Sequence, residues 1–178
     1  MTKTHLQKLQ NGRKRYQQQR TILVNKKIKQ LACDGMKDIG QLSNRELFIA
    51  GVVLYWAEGF KHPEESGLGL ATSDPMMAKF YIRFLEVCFY IPKDRLRLRV
   101  TANIFHEHRI SEIQDFWSDC LDIPQKSFSK PFFQKVAQQK KFPNEQNYHG
   151  VIRIHVSKSL DMLRKMRGWL EGVKLSKD

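Results

Sequence analysis

Arg95, Arg97 and Arg99 alternate with Leu96, Leu98 and Val100, and further along Arg153 and His155 alternate with Ile152, Ile154 and Val156. A period of two is the pattern of a β-strand with one face in the core and the other outside. Three arginines at i, i+2 and i+4 span roughly 13–14 Å of such a face. The guanidinium fork suits phosphate oxygens and the O6/N7 edge of guanine, and strands enter the major groove of DNA as helices do. Only Asp94 and Glu107 lie nearby in sequence to neutralise the run. A nucleic-acid face is therefore favoured over an ordinary solvent-facing sheet with paired arginines. Arg95, Arg97, Arg99, Arg153 and His155 are its candidate residues. Lys130 and Lys135, with Lys140 and Lys141, add charge in the manner of a phosphate-tracking loop.

The second candidate is an acid. Glu58 stands in Tyr55-Trp56-Ala57-Glu58-Gly59, at the end of an apolar run. A carboxylate is disfavoured at the C-terminal end of a helix, where the carbonyls already point. Such a group suits the grip of a divalent cation, and nucleases use carboxylates to hold the Mg²⁺ that activates water. One carboxylate does not make that site alone; two copies of the helix, one from each protomer, would bring two. The competing reading is a helix-end residue capped by Lys61 or by solvent. His106-Glu107-His108 resembles a metal fragment, with both histidines on one face if it is a strand, but no third ligand has suitable spacing. Surface histidines near DNA fit it better. No Ser/His/Asp set, P-loop or Gly-rich dinucleotide loop is present.

The elements that must position these residues are legible in outline. Ser43-Asn44-Arg45-Glu46 is a capping box, followed by the uncharged stretch 47–57 and a stop at Gly59. A helix apolar on every side is expected to be buried. A turn at 62–67 and a short strand at 68–72 follow. Asp74 as N-cap with Pro75 at the first position opens a helix to about residue 90, ended by Pro92. Its apolar stripe is Met77, Phe80, Tyr81, Phe84, Leu85, Val87 and Cys88. Then come a strand over 95–104, a helix over 111–121 with Ile113, Phe116, Trp117 and Cys120 inward, and an edge strand within 127–136 interrupted by Pro131. A polar loop over 137–148, a strand over 151–157 and a helix over 159–171 stopped by Gly172 complete the chain. The fold class is α+β: a small, mostly antiparallel sheet with helices on one face. Trp169-Leu170-Glu171-Gly172 repeats the earlier Trp-x-Glu-Gly, but too little chain follows for a second sheet.

Charge divides the chain. Residues 1–33 carry nine of the 31 Lys and Arg and none of the 18 acidic residues. Most of the formal charge of +13 is thus in the first fifth of the sequence. Residues 1–41 read as a basic N-terminal arm and 42–178 as the folded domain. The arm is expected to be frayed and partly helical over 1–20. A helix over 21–32 is then ended by Asp34-Gly35. Arg13, Lys14 and Arg15 are its candidate DNA contacts. A membrane-surface helix would place bulky apolar residues opposite the charges, whereas residues 5–20 offer only Leu6, Leu9 and Tyr16. The apolar run is too short to span a bilayer. Cys33, Cys88 and Cys120 are odd in number and far apart, which points to small buried thiols in a reduced, cytoplasmic protein.

These features together resemble the LAGLIDADG family of homing endonucleases. Aligned on Gly59, residues 51–59 match its motif at Leu54, Ala57 and Gly59, and Glu58 falls at the metal-binding acid. Val53 stands where the family has the glycine of its close helix contact, and Trp56 at its first Asp. The resemblance implies an αββαββα-related unit and motif helices paired at a two-fold interface. It also implies a saddle of strands in the DNA major groove, and a homodimer for a single-motif chain. The helix over 111–121 is additional to that unit. Over almost its whole length the chain is also similar to a group of bacterial proteins. The shared features are residues 42–59, Thr72 to Met76, the basic strand, Phe116-Trp117 and Ile123 to Phe128. Some of these carry a helix-turn-helix, absent here, which implies a DNA regulator. Expected is double-stranded DNA binding through a basic sheet face. Two outcomes stay open: Mg²⁺-dependent endonuclease activity with Glu58 as catalytic ligand, or a non-catalytic regulator derived from such a nuclease. An RNA-binding or RNA-maturation role stands further behind.

Overall fold

The computed structural model describes residues 3–135 and 147–175. Two compact units partition the chain, residues 1–42 and 43–178.

The first unit is one helix, α1 (Lys3–Ile39), about 55 Å long at 1.5 Å per residue. Asp34-Gly35 does not end it. A glycine stops a helix by turning left-handed, and it is Gly40, at φ +59°, that does so, its N–H bonding Met36 O at 3.1 Å. Gly35 stays helical, and Asp34 accepts from Gln30 at 3.0 Å one turn back. Nor does the segment over 3–20 stand apart as a partly ordered arm; it is continuous with the rest. Ile22, Leu23, Val24, Ile28 and Leu31 are exposed.

The second unit opens with α2 (Asn44–Glu58). Both bonds of its capping box form: Ser43 N–H donates to Glu46 Oε2 at 2.7 Å, and Glu46 N–H to Ser43 Oγ at 3.3 Å. That reciprocal pairing also holds the Glu46 carboxyl below the usual carboxylate range. The helix is not buried all round. Leu47, Gly51, Val52 and Tyr55 face inward, whereas Val53 is 45% and Trp56 42% exposed. A β-carbon on Gly51 would lie 2.0 Å from the Phe84 ring, so this glycine is the point of closest approach to the next helix.

β1 (Gly69–Thr72) leads into α3 (Pro75–Phe89), capped by Asp74, which accepts from Met76 N at 2.8 Å and Met77 N at 3.3 Å. Ala78, Tyr81, Ile82, Phe84 and Leu85 are its buried residues, and Val87 is exposed instead. β2 (Leu96–Asn103) is shorter than the alternation suggests: Arg95 belongs to a 3-10 turn before it, and Ile104 opens another that runs to Arg109. His106 and His108 are therefore not on a strand. α4 (Ile110–Leu121), β3 (Phe132–Gln134), β4 (Val151–Val156) and α5 (Leu160–Leu175) complete the unit. α5 continues through Gly172 rather than stopping there. Val136, Lys140, Lys141 and most of the predicted polar loop lie outside the described residues.

The fold is α+β, with sheet order β1-β4-β2-β3. β4 pairs antiparallel with β1 and β2, and β3 pairs parallel with β2, so the sheet is mixed. Leu70, Ile154 and Leu98 form one row across it and Ile152 and Val100 the next, all fully buried. This apolar face is one side of a single core with the inward residues of α2, α3, α4 and α5. Trp169 stacks on Phe89 at 5.2 Å and meets Phe48 edge-on at 5.1 Å. The second Trp-x-Glu-Gly thus puts its tryptophan in an aromatic cluster, unlike Trp56. The three cysteines are unpaired and half-buried rather than buried. Among the described residues no helix is long and apolar enough to cross a membrane.

Candidate nucleic-acid interface

The outer face of the sheet is set by register. Arg97 lies opposite His155 and Arg99 opposite Arg153, with β4 in the middle. In the row beyond, Thr101 lies opposite Val151 on one side and Phe132 on the other. Alternation therefore sends Arg97, Arg99, Arg153, His155 and Phe132 to one side, as the apolar residues go to the other. Arg97, Arg99, Arg153 and His155, with Ser129 and Ser157, line a shallow concavity of about 370 Å³.

Each of these side chains is held differently. Arg153 lies over the Phe60 ring at 4.3 Å, and His155 packs against the same ring at 5.2 Å. Phe60 reaches the sheet because Gly59 and Phe60 continue antiparallel along β1: Gly59 bridges Leu70, and Phe60 N–H donates to Gly69 O at 2.9 Å. Gly69 has no side chain where the ring sits; a β-carbon there would come within 2.5 Å of it and 2.8 Å of Ile154 O. Arg99 has its guanidinium 6.0 Å from the Phe132 ring. Arg97 Nη1 donates to Asp94 O at 2.8 Å and Leu96 O at 3.0 Å, which leaves its other N–H groups available. His155 Nε2 is 3.8 Å from Glu65. Burial pulls the His155 pKa down more strongly than Glu65 pushes it up, and Arg153 and Arg99 lower it further. The shift favours the neutral imidazole and weakens its contact with Glu65 as an ion pair.

Arg99 and Arg153 are like charges directly across a strand pair, which destabilises a sheet. Neither has a carboxylate partner among the described residues; each instead lies over an aromatic ring.

The remaining expected contacts are dispersed. Arg95 is turned to the end of β4, where Nη2 donates to Ser157 O at 2.6 Å and Lys158 O at 3.1 Å, a structural role. Lys130 and Lys135 are exposed on either side of β3. Arg13, Lys14 and Arg15 are exposed on α1, in the other unit. No match to this chain is found among protein-family models, curated proteins or solved structures.

Glu58 is exposed at the last turn of α2 and makes no hydrogen bond or ion pair among the described residues. Lys61 supplies the cap at that end, its Nζ donating to Trp56 O at 2.6 Å and Ala57 O at 3.3 Å. Among the described residues no three His, Cys, Asp or Glu side chains gather as a metal-binding group. Among the described residues Glu58 is not part of a three-ligand group, and the remaining ligands of a Mg²⁺ ion there would be water, nucleic-acid phosphate or an acid of a second copy. His106 is buried and stacked on Tyr148 at 4.1 Å, a core role rather than a surface one.

Phe60, Glu65 and Phe132 belong to this surface and were not singled out by sequence reasoning. Phe132 carried a signal: it sits next to Phe133, and on a strand two adjacent aromatics must point to opposite faces.

Proposed function

We propose that the protein binds double-stranded DNA through the outer face of its sheet, with the basic half of α1 supplying further phosphate contacts. The observation that carries this reading is the Arg99–Arg153 pair. Two arginines directly opposite each other on paired strands, with no carboxylate partner among the described residues, cost some stability, and a polyanion converts that cost into binding. The cation–ring contact of Arg153 fixes its donors in advance, which lowers the ordering cost on binding. The exposed Val53–Trp56 side of α2 supports assembly as a homodimer, and the three unpaired thiols support a reducing, cytoplasmic setting. Binding is the activity we propose; cleavage would require the two Glu58 carboxylates of such a homodimer to meet.

The test is titration of a fluorescent duplex at several salt concentrations. Affinity should fall steeply with salt as condensed counterions are released. Arg97→Ala with Arg99→Ala should weaken binding about tenfold or more for each base-reading arginine removed. Replacing Arg13, Lys14 and Arg15 with Gln should instead weaken all sequences evenly and flatten the salt slope. No binding by the parent at low salt would remove the proposal.

A further inference from the structure

We infer that the β3 edge of the outer face holds an unpaired nucleotide, its base stacked on Phe132 and its phosphate on Arg99. The inference rests on the reading of that face as the nucleic-acid surface. Phe132 is 53% exposed on the face that carries Arg97, Arg99, Arg153 and His155. Its neighbour Phe133 is the one that packs against the core. An apolar ring on an exposed edge strand does nothing for folding and invites edge-to-edge association, so edges are ordinarily blunted with charge or proline. Here Lys130, Pro131 and Lys135 blunt the edge, and the ring remains uncovered between them.

Geometry says why the base must be unpaired. Four strands about 4.8 Å apart span about 14 Å between the outer two, and a major groove is about 12 Å wide. The edge strand therefore falls at the groove wall, where a duplex presents phosphate and sugar rather than bases. Inside the duplex each base has both flat faces covered by its neighbours. Only a nucleotide displaced from the stack offers a face to Phe132, and such recognition by an aromatic ring on a sheet is sequence-tolerant. Arg99, 6.0 Å from the same ring, is in reach of the phosphate that accompanies the base.

The experiment compares three probes of one sequence: a perfect duplex, the same duplex with one extrahelical 2-aminopurine nucleotide, and the single strand carrying it. The parent should bind the extrahelical probe about tenfold more tightly than the perfect duplex, a modest return for one stacked base, and quench its fluorescence. Phe132→Leu keeps apolar bulk and removes the ring. Its ratio of extrahelical to perfect-duplex affinity should fall to about one and the quenching should be lost; Phe132→Trp should keep both the ratio and the quenching. DNA and RNA versions of the probes tell which sugar is taken, and preference for the unpaired base in either supports the inference. Equal affinity of the parent for perfect and extrahelical duplexes would overturn it. So would a Phe132→Leu variant that weakens both alike. If Arg97→Ala with Arg99→Ala leaves every probe bound as before, the assignment of the face fails and the inference falls with it; if that variant binds weakly but Phe132→Leu keeps the parent's preference, only the role of Phe132 is overturned.

Discussion

Replacing Arg99 with Gln should stabilise the fold and weaken binding at once. Arg99 and Arg153 are paired across β2 and β4, and directly opposite side chains start about 5 Å apart at Cβ. The guanidinium groups lean apart, that of Arg153 over Phe60 beside β1 and that of Arg99 toward Phe132 on β3, and unit charges about 10 Å apart in water repel by about 0.4 kcal/mol. Arg99 gives up little in exchange, since its guanidinium lies at the outer limit of a useful ring contact, 6.0 Å. Arg153 would be the poorer choice, because its closer stacking over Phe60, at 4.3 Å, would go with the charge. The expected gain is at most about 0.4 kcal/mol at low ionic strength, a rise of about 1–2 °C in Tm for a unit of this size. At physiological salt the Debye length is about 8 Å, so the gain should shrink to half or less. Duplex affinity should fall, with a salt slope shallower by about one ion. Thermal melts of parent and variant at two salt concentrations, beside duplex titrations, read both quantities. A variant destabilised by about 1 kcal/mol or more, the size of an ordinary damaging substitution, would show that the arginine pair is held by something other than function. An unchanged salt slope would remove Arg99 from the phosphate contacts.

Three further outcomes follow from the structure. Tyr81 Oη is buried with no hydrogen-bond partner among the described residues, so Tyr81→Phe should raise stability by about 1 kcal/mol in urea melts; a loss would reveal a partner, such as a buried water. His155 has its pKa lowered in the fold, mainly by burial, so the unfolded chain takes up the proton first. Its contribution is whole above about pH 6.5 and is lost as pH falls through the folded value. His149, lowered by burial and by Arg109, acts in the same direction, so His155→Gln should flatten the acid decline of stability only in part, and a decline as steep as the parent's would count against the assignment. Finally, Glu58→Gln should leave duplex affinity intact and stability unchanged or slightly higher, since a carboxylate leaves the negative end of α2. Site-specific DNA ends produced by the parent in Mg²⁺ and not by this variant would instead demand a site shared between two chains.

What could be read in advance were the local rules. Ser43 and Glu46, and Asp74 with Pro75, carry their caps in their own side chains, and both helices start where those residues say. The alternation over β2 and β4 is equally local, because a period of two leaves one register with the apolar face inward. Helix ends were less legible. Gly35 and Gly172 stay helical, so a glycine alone does not say which one stops a helix; Gly40 does so left-handed, and Tyr90 does so with a residue type that gives no sign of it. The surface of α2 escaped sequence reading for another reason. An uncharged run says that water is unfavourable on every side, not that the protein supplies a partner on every side, and Val53 and Trp56 remain exposed within the unit. Phe60 and Glu65 reach the basic face only through the way the chain leaves α2, which depends on pairing with β1.

That departure from α2 separates the signature Tyr55-Trp56-Ala57-Glu58-Gly59 into two sets of residues. Tyr55 is buried, its hydroxyl donates to Phe60 O, and its pKa is pushed up to about 12 by burial. Gly59 is small because a β-carbon would come within 2.5 Å of the Tyr55 ring and carbonyl. Together they bend the chain onto β1 and deliver Phe60 beneath Arg153. These two residues are explained by the fold, and their effect reaches the basic face. Trp56 and Glu58 are not explained in that way. Both are exposed, on the last turns of the same helix, and the nearby cap is made by Lys61 without help from either side chain. Trp56 instead lines an open groove of about 430 Å³ with Leu163, Arg167 and Lys174, and Lys174 lies 5.8 Å over its ring. Apart from the Lys174 contact with the ring, the packing of the unit gives neither the Trp56 nor the Glu58 side chain a role among the described residues. The fold thus accounts for two of the five residues of the signature, Tyr55 and Gly59, and the other three, Trp56, Ala57 and Glu58, are exposed on the helix whose Val53–Trp56 side is left uncovered.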